Sequence, residues 1–127
     1  MELLEPHEMY KSDLRSRLFE FAAQVIMMLK FRPSTPEAMT IRHQLSKAST
    51  SGGANYEEFQ AGSSRADFSN KIRISLREVK ESNYWLRLIQ RCQLIQNEQS
   101  KTKLKFLIEE SSELTKILAS ILNKCRS

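Results

Sequence analysis

The side chains that could do chemistry in this chain are paired carboxylates, two histidines, two cysteines and a run of arginines and lysines. Glu78-x-x-Glu81 and Glu110-x-x-Glu113 place carboxylates one helical turn apart, as in a bundle that holds two irons. Such a site also needs a Glu-x-x-His on each of two helices, and neither His7 nor His43 stands three residues after a glutamate. Zinc is no better served, because the two Cys and two His do not fall at the spacing of a structural or catalytic site. Cys92 and Cys125 form no CxxC and read as buried, reduced thiols on helices, with a Cys–His nucleophile pair as the alternative. Gly52-Gly53 lacks the lysine and the preceding strand of a phosphate-cradling loop. Glu57-Glu58 would offer an acid and a base, but no nucleophile or oxyanion donor accompanies them. The residues therefore argue against an enzyme and imply no metal or cofactor. The competing reading is a small-molecule-binding or enzymatic bundle that uses Glu58, Glu78 or His43 in a cleft between helices. For His43, four residues before Lys47, the plain reading is a helix-surface or interface residue.

The cations are more suggestive. Arg65, Lys71, Arg73, Arg77, Lys80, Arg87 and Arg91 lie along one predicted helix, and helical geometry brings Arg73, Arg77 and Lys80 close to one face. As a phosphate-binding strip these residues would contact RNA or DNA, with Lys71, Arg73, Arg77, Lys80, Arg87 and Arg91 as candidates. As a solvated face they would pair with Glu78 and Glu81. Trp85 nearby suits a core or interface anchor better than a base-stacking platform. The charge balance fits either reading. The formal net charge is +5 and the isoelectric point about 9.4. The excess is uneven: residues 1–40 hold five Lys/Arg and six Asp/Glu, and residues 41–127 hold fifteen and nine.

Positioning these side chains falls to helices. Three glycines, three prolines and 28% charged residues suit long solvated helices, and no window alternates as a half-buried strand does. A first helix is expected over about 9–30, where Leu14, Leu18, Phe21, Val25 and Met28 recur at spacings of four and three and Ala22 and Leu29 widen the stripe. Residues 1–8 read as a flexible arm, with Pro6 disfavouring an earlier start. A second helix is expected over 36–61, with Thr35 as N-cap, Pro36 at the first position and Ile41, Leu45 and Ala48 facing inward. The same face then carries Gly52, Asn55 and Phe59. Adjacent glycines each cost about 1 kcal/mol in a helix, so either the helix breaks there or another backbone packs closely. Gly62 suits a left-handed helix end, and Ser64 with Asp67 starts a third helix over about 65–95. Phe68, Ile72, Leu76, Val79, Leu86 and Ile89 make its main stripe, and Ile74, Trp85 and Leu88 make a second face. A fourth helix over about 100–125 carries Leu104, Leu107, Ser111, Leu114, Leu118, Ile121 and Cys125 on one seam. The short connections favour an all-α, antiparallel up-down-up-down four-helix bundle forming one domain over residues 9–127. The acidic start Met1–Glu5 does not resemble a secretory leader, and Phe19–Leu29 is too short to span a membrane. The expectation is a soluble, cytoplasmic protein.

Several of these segments taken together resemble a known family. Gln44-Leu45-x-Lys47-Ala48, Ser51-x-Gly53-Ala54-Asn55-x-Glu57-Glu58 and Ser64-x-Ala66-Asp67-Phe68 are similar to the central signature of the bacterial four-helix bundle proteins, the 23S rRNA intervening-sequence protein family. Lys71-Ile72-x-Ile74-x-Leu76-x-Glu78-x-x-Glu81-Ser82-x-Tyr84-Trp85-Leu86-x-Leu88 resembles the family's third helix. The likeness covers roughly residues 12–123. It implies a left-handed bundle that assembles as a homo-oligomer, typically a pentamer, and it brings no established activity. It also implies that Asn55 and Glu58, with Asp67 and Trp85, set register or interface contacts. The chain departs from the pattern at Gly52, where the family usually has a bulky Ile, and at Lys47, where it more often has Arg.

Overall fold

The computed structural model describes residues 6–30, 34–58 and 64–125, with side chains from Leu14 onward. Four helices follow one another: α1 (Pro6–Met28), α2 (Pro36–Glu57), α3 (Arg65–Arg91) and α4 (Glu98–Cys125). Each packs on its neighbours in the chain and α1 also packs on α4, while among the described residues the diagonal pairs stay apart. Cross-helix contacts fix the directions. Arg15 meets Glu57, Leu18 meets Gly53 and Arg42 meets Leu29, so α2 descends as α1 rises. Ser75 meets Gly52 and Lys71 meets Glu58 between α3 and α2, again in opposite senses. The result is the antiparallel four-helix bundle that the hydrophobic spacing predicts.

The helix starts follow local chemistry. Thr35 caps α2 by accepting from the Ala38 N–H at 3.3 Å, and Ser64 caps α3 by accepting from the Asp67 N–H at 3.1 Å. Asn97 does the same for α4 through the Ser100 N–H at 3.0 Å, which starts that helix at Glu98 rather than residue 100. At the other edge, α1 begins at Pro6, not Met9. A proline at the first helical position loses only an N–H that the helix would leave unpaired in any case. Residues 1–5 of the expected arm, Phe59, Gly62 and the expected last turn of α2 lie outside the described residues.

Of the two alternatives expected at the glycines of α2, close packing is the one observed, while the seam of α3 differs from expectation. α2 runs unbroken through Gly52-Gly53, because both glycines sit where other helices come close. A Cβ on Gly52 would stand 3.0 Å from Val79 Cγ2, and one on Gly53 would stand 3.5 Å from the Leu18 backbone. The core seam of α3 is Ile72, Ser75, Val79, Ser82, Leu86 and Ile89. Ser75 and Ser82 replace the expected Phe68 and Leu76, which are half-buried at its margin. Ser75 is fully buried and its hydroxyl donates to the Gly52 carbonyl at 2.6 Å, so small side chains and a satisfied hydroxyl let α2 and α3 approach.

The end of α3 also falls early, at Arg91 rather than residue 95. Gln93 adopts a left-handed φ of 52°, its N–H bonding to the Gln90 carbonyl at 3.2 Å and the Leu94 N–H to the Ile89 carbonyl at 3.1 Å. That pair of bonds is a Schellman turn. It leaves Cys92 exposed at the helix end and turns Ile95 into the core. Cys125 is half-exposed in the last turn of α4. The expectation of two buried thiols is therefore corrected: neither cysteine lies in the core.

Candidate nucleic-acid interface

The buried seam of α3 fixes which residues must point outward. Arg73, Arg77, Lys80, Arg87 and Arg91 are all exposed, on the side of α3 away from Ile72, Val79, Leu86 and Ile89. Their spacings are four, three, seven and four, and the gap of seven is filled by exposed Tyr84 at four and three. The six side chains form one stripe of about 27 Å along the helix. Among the described residues, Arg73, Lys80 and Arg91 make no ion pair, and Arg77 reaches only its neighbour Glu78, at 3.9 Å. α3 as a whole carries seven Lys/Arg against three Asp/Glu. Lys71 does not belong to the stripe. It lies on the α2 side, where its ammonium pairs with the Glu58 carboxylate.

Tyr84 is the feature of this stripe that the sequence reading missed. Its ring meets Trp85 edge-on, with centroids 5.1 Å apart and planes at 79°, and the Arg87 guanidinium carbon stands 5.9 Å over its centroid. Arg87 is held in turn: its Nε donates to Asn83 Oδ1 at 2.8 Å. The Asn83 amide donates across to α4, to Ser111 Oγ at 2.8 Å and the Ile108 carbonyl at 3.2 Å. Trp85 is half-buried against the core, with its indole N–H on Glu81 at 3.2 Å. The signal for Tyr84 was present in the sequence, as the missing member of the four-three repeat of cations.

The other candidate residues are dispersed. Asn55 donates within α2, to the Ser51 carbonyl at 2.9 Å and the Ser51 hydroxyl at 3.0 Å. Asp67 serves the cap of α3 through its backbone N–H. Glu58 is exposed at the end of α2 and His43 is exposed near its start, fifteen residues and about 22 Å away along the helix. Glu78 stands on α3 beside Arg77, so these three residues do not converge on one cleft. Among the described residues, no three His, Cys, Asp or Glu side chains group to hold a metal ion. No helix among them is long and apolar enough to cross a membrane.

The family model of the 23S rRNA-intervening sequence proteins matches residues 11–120. The chain belongs to this family. A solved structure from Bacteroides thetaiotaomicron VPI-5482, described as a protein with unknown function from the S23 ribosomal protein family, is 33% identical. The likeness covers 86% of this chain and 97% of that one, with a TM-score of 0.73. No curated protein matches the chain. Against the intervening-sequence fold so shared, a second surface stands out here. Between α1 and α2 runs an apolar groove of about 340 Å³ whose walls include Phe19, Ala22, Ala23, Ile26 and Ala54. Phe19 leaves 67% of its surface exposed, so a large ring on α1 faces away from the core of its own chain. Near one end, Tyr56 packs on the core, and burial pushes its phenol above the usual value while Arg15 pulls it back.

Proposed function

We propose that this intervening-sequence family member is a non-enzymatic, homo-oligomeric cytoplasmic scaffold or adaptor that contacts RNA or DNA phosphates through the outer face of α3. One observation carries the nucleic-acid reading: five exposed cations share a face, and four of them, all but Arg77, have no carboxylate partner among the described residues. A face that only kept the protein in solution would be expected to interleave both signs. The separation of Glu58, His43 and Glu78 favours a binding role over catalysis. For assembly, the support is the exposed apolar groove along α1 and α2, together with the pentamer that the family resemblance implies.

Binding of mixed RNA and DNA across a salt series tests the phosphate contact. Affinity should fall linearly with salt on logarithmic axes, with a slope of about −0.7 to −0.9 per phosphate contacted. The combined variant Arg73→Gln, Arg77→Gln, Lys80→Gln should weaken binding and flatten that slope by roughly two to three such steps. Salt-independent binding, or a triple variant that binds as tightly as the parent, would sink the reading.

A further inference from the structure

We infer that the strand held on α3 is single, and that one of its bases stacks on Tyr84; this rests on the phosphate-contact reading above. Phosphates of a duplex would be served by cations alone. Instead, the stripe interrupts its cations with an aromatic ring that is 49% exposed, in a gap of about 10.5 Å between Lys80 and Arg87. Arg73, Arg77 and Lys80 lie on one side of the ring and Arg87 and Arg91 on the other. A backbone followed by those cations would be held on both sides of a base at Tyr84. A duplex keeps its bases stacked inside, and only an unpaired base can lay its face on a protein ring.

The ring is also prepared for that task. Trp85 braces it edge-on at 5.1 Å, and Trp85 itself is fixed by the core and by Glu81. The guanidinium over the ring is held by Asn83, which is anchored to α4. Little side-chain freedom remains to be lost on binding. An arginine beside a stacked base contributes its own planar face as well as its charge.

The test uses the full chain with a labelled oligonucleotide as a single strand and as its duplex, in DNA and in RNA. The single strand should bind more tightly than the duplex. Tyr84→Ala should weaken single-strand binding about fivefold to a hundredfold with no change in the salt slope, because the lost contact is uncharged. Tyr84→Phe should retain the binding. Trp85 is the only tryptophan of the chain, so its fluorescence should change on binding in the parent and less in Tyr84→Ala. An unchanged circular dichroism melt checks that the alanine variant is folded. The DNA and RNA arms separate the two possible strands, and stacking on Tyr84 by either one supports the inference. A duplex preference, or a Tyr84→Ala variant that binds like the parent while the triple cation variant is impaired, overturns stacking alone. If nothing binds in any arm, the phosphate contact falls with it.

Discussion

Asn83 does at the scale of one side chain what the family resemblance implied for Asn55: it crosses to a neighbouring helix. Its amide reaches from α3 to the Ile108 carbonyl and to the hydroxyls of Ser111 and Ser112 on α4, while its own carbonyl accepts from Arg87. Ser111 is fully buried, so an Asn83→Ala change leaves its hydroxyl without that donor. We expect a loss of about 1–2 kcal/mol in urea unfolding, the usual range for removing one partner of a buried hydrogen bond. Asn83→Asp should cost at least as much. It keeps the size and the acceptor for Arg87 but presents a carboxylate to a backbone carbonyl. Stability equal to the parent in both variants would remove Asn83 from this role. A single sequence could not separate Asn83 from Asn55, since both flank an apolar stripe and only the neighbouring helix decides which one crosses. The same holds for Arg17, which lies beside the apolar stripe of α1. It forms a two-point pair with Glu110 of α4 at 3.0 and 2.7 Å, with both side chains mostly covered.

At the scale of the element, apolar spacing revealed most of the helices, and the exceptions sit where backbone geometry does the work. α1 and α4 were legible nearly residue by residue: Leu14, Leu18, Phe21, Val25 and Met28 are buried, as are Leu104, Leu107, Ser111, Leu114 and Leu118. The end of α3 was not legible because Gln93, rather than glycine or asparagine, takes the left-handed position. An L-residue there costs roughly 1 kcal/mol, so Gln93→Gly should raise stability by about 0.5–1 kcal/mol in chemical unfolding. The paired glycines of α2 make a sharper case, because their surroundings give substitutions of opposite sign. Gly53→Ala places its Cβ at an ordinary contact distance of 3.5 Å and should stabilise by about 0.5–1 kcal/mol through helix propensity. Gly52→Leu would drive a branched side chain into Val79, already 3.0 Å from the Cβ position, and should cost on the order of 1–3 kcal/mol. If both changes shifted stability in the same direction, the close packing of α2 between α1 and α3 would not be what keeps the helix continuous.

For the whole molecule, the proposed assembly makes its own predictions. The bundle satisfies its own core, yet Phe19 and Ile26 of α1 stay exposed along a groove walled by alanines. Small residues on a helix face admit the close approach of bulky side chains from another surface. A closed ring of identical chains would require a second, complementary patch elsewhere on the chain. A second copy seated against α1 and α2 is the occupant that fits both the groove and the family resemblance. Light scattering over a range of concentrations should therefore give a multiple of the 14.8 kDa chain mass, five if the pentamer holds. Phe19→Glu should break that assembly. It puts a charge on the apolar wall, where desolvation without a partner is costly, at a position that is exposed in its own chain. Circular dichroism should show an unchanged helical monomer. A parent that is monomeric at every concentration would contradict assembly, and an oligomer that survives Phe19→Glu would place the interface elsewhere. The outcome also bears on the α3 stripe: if the complementary patch lies off the outer face of α3, each added chain contributes another row of cations to one ligand. Binding to long strands should then gain over binding to short ones in the parent, and that gain should vanish in Phe19→Glu while the affinity for a short strand is kept.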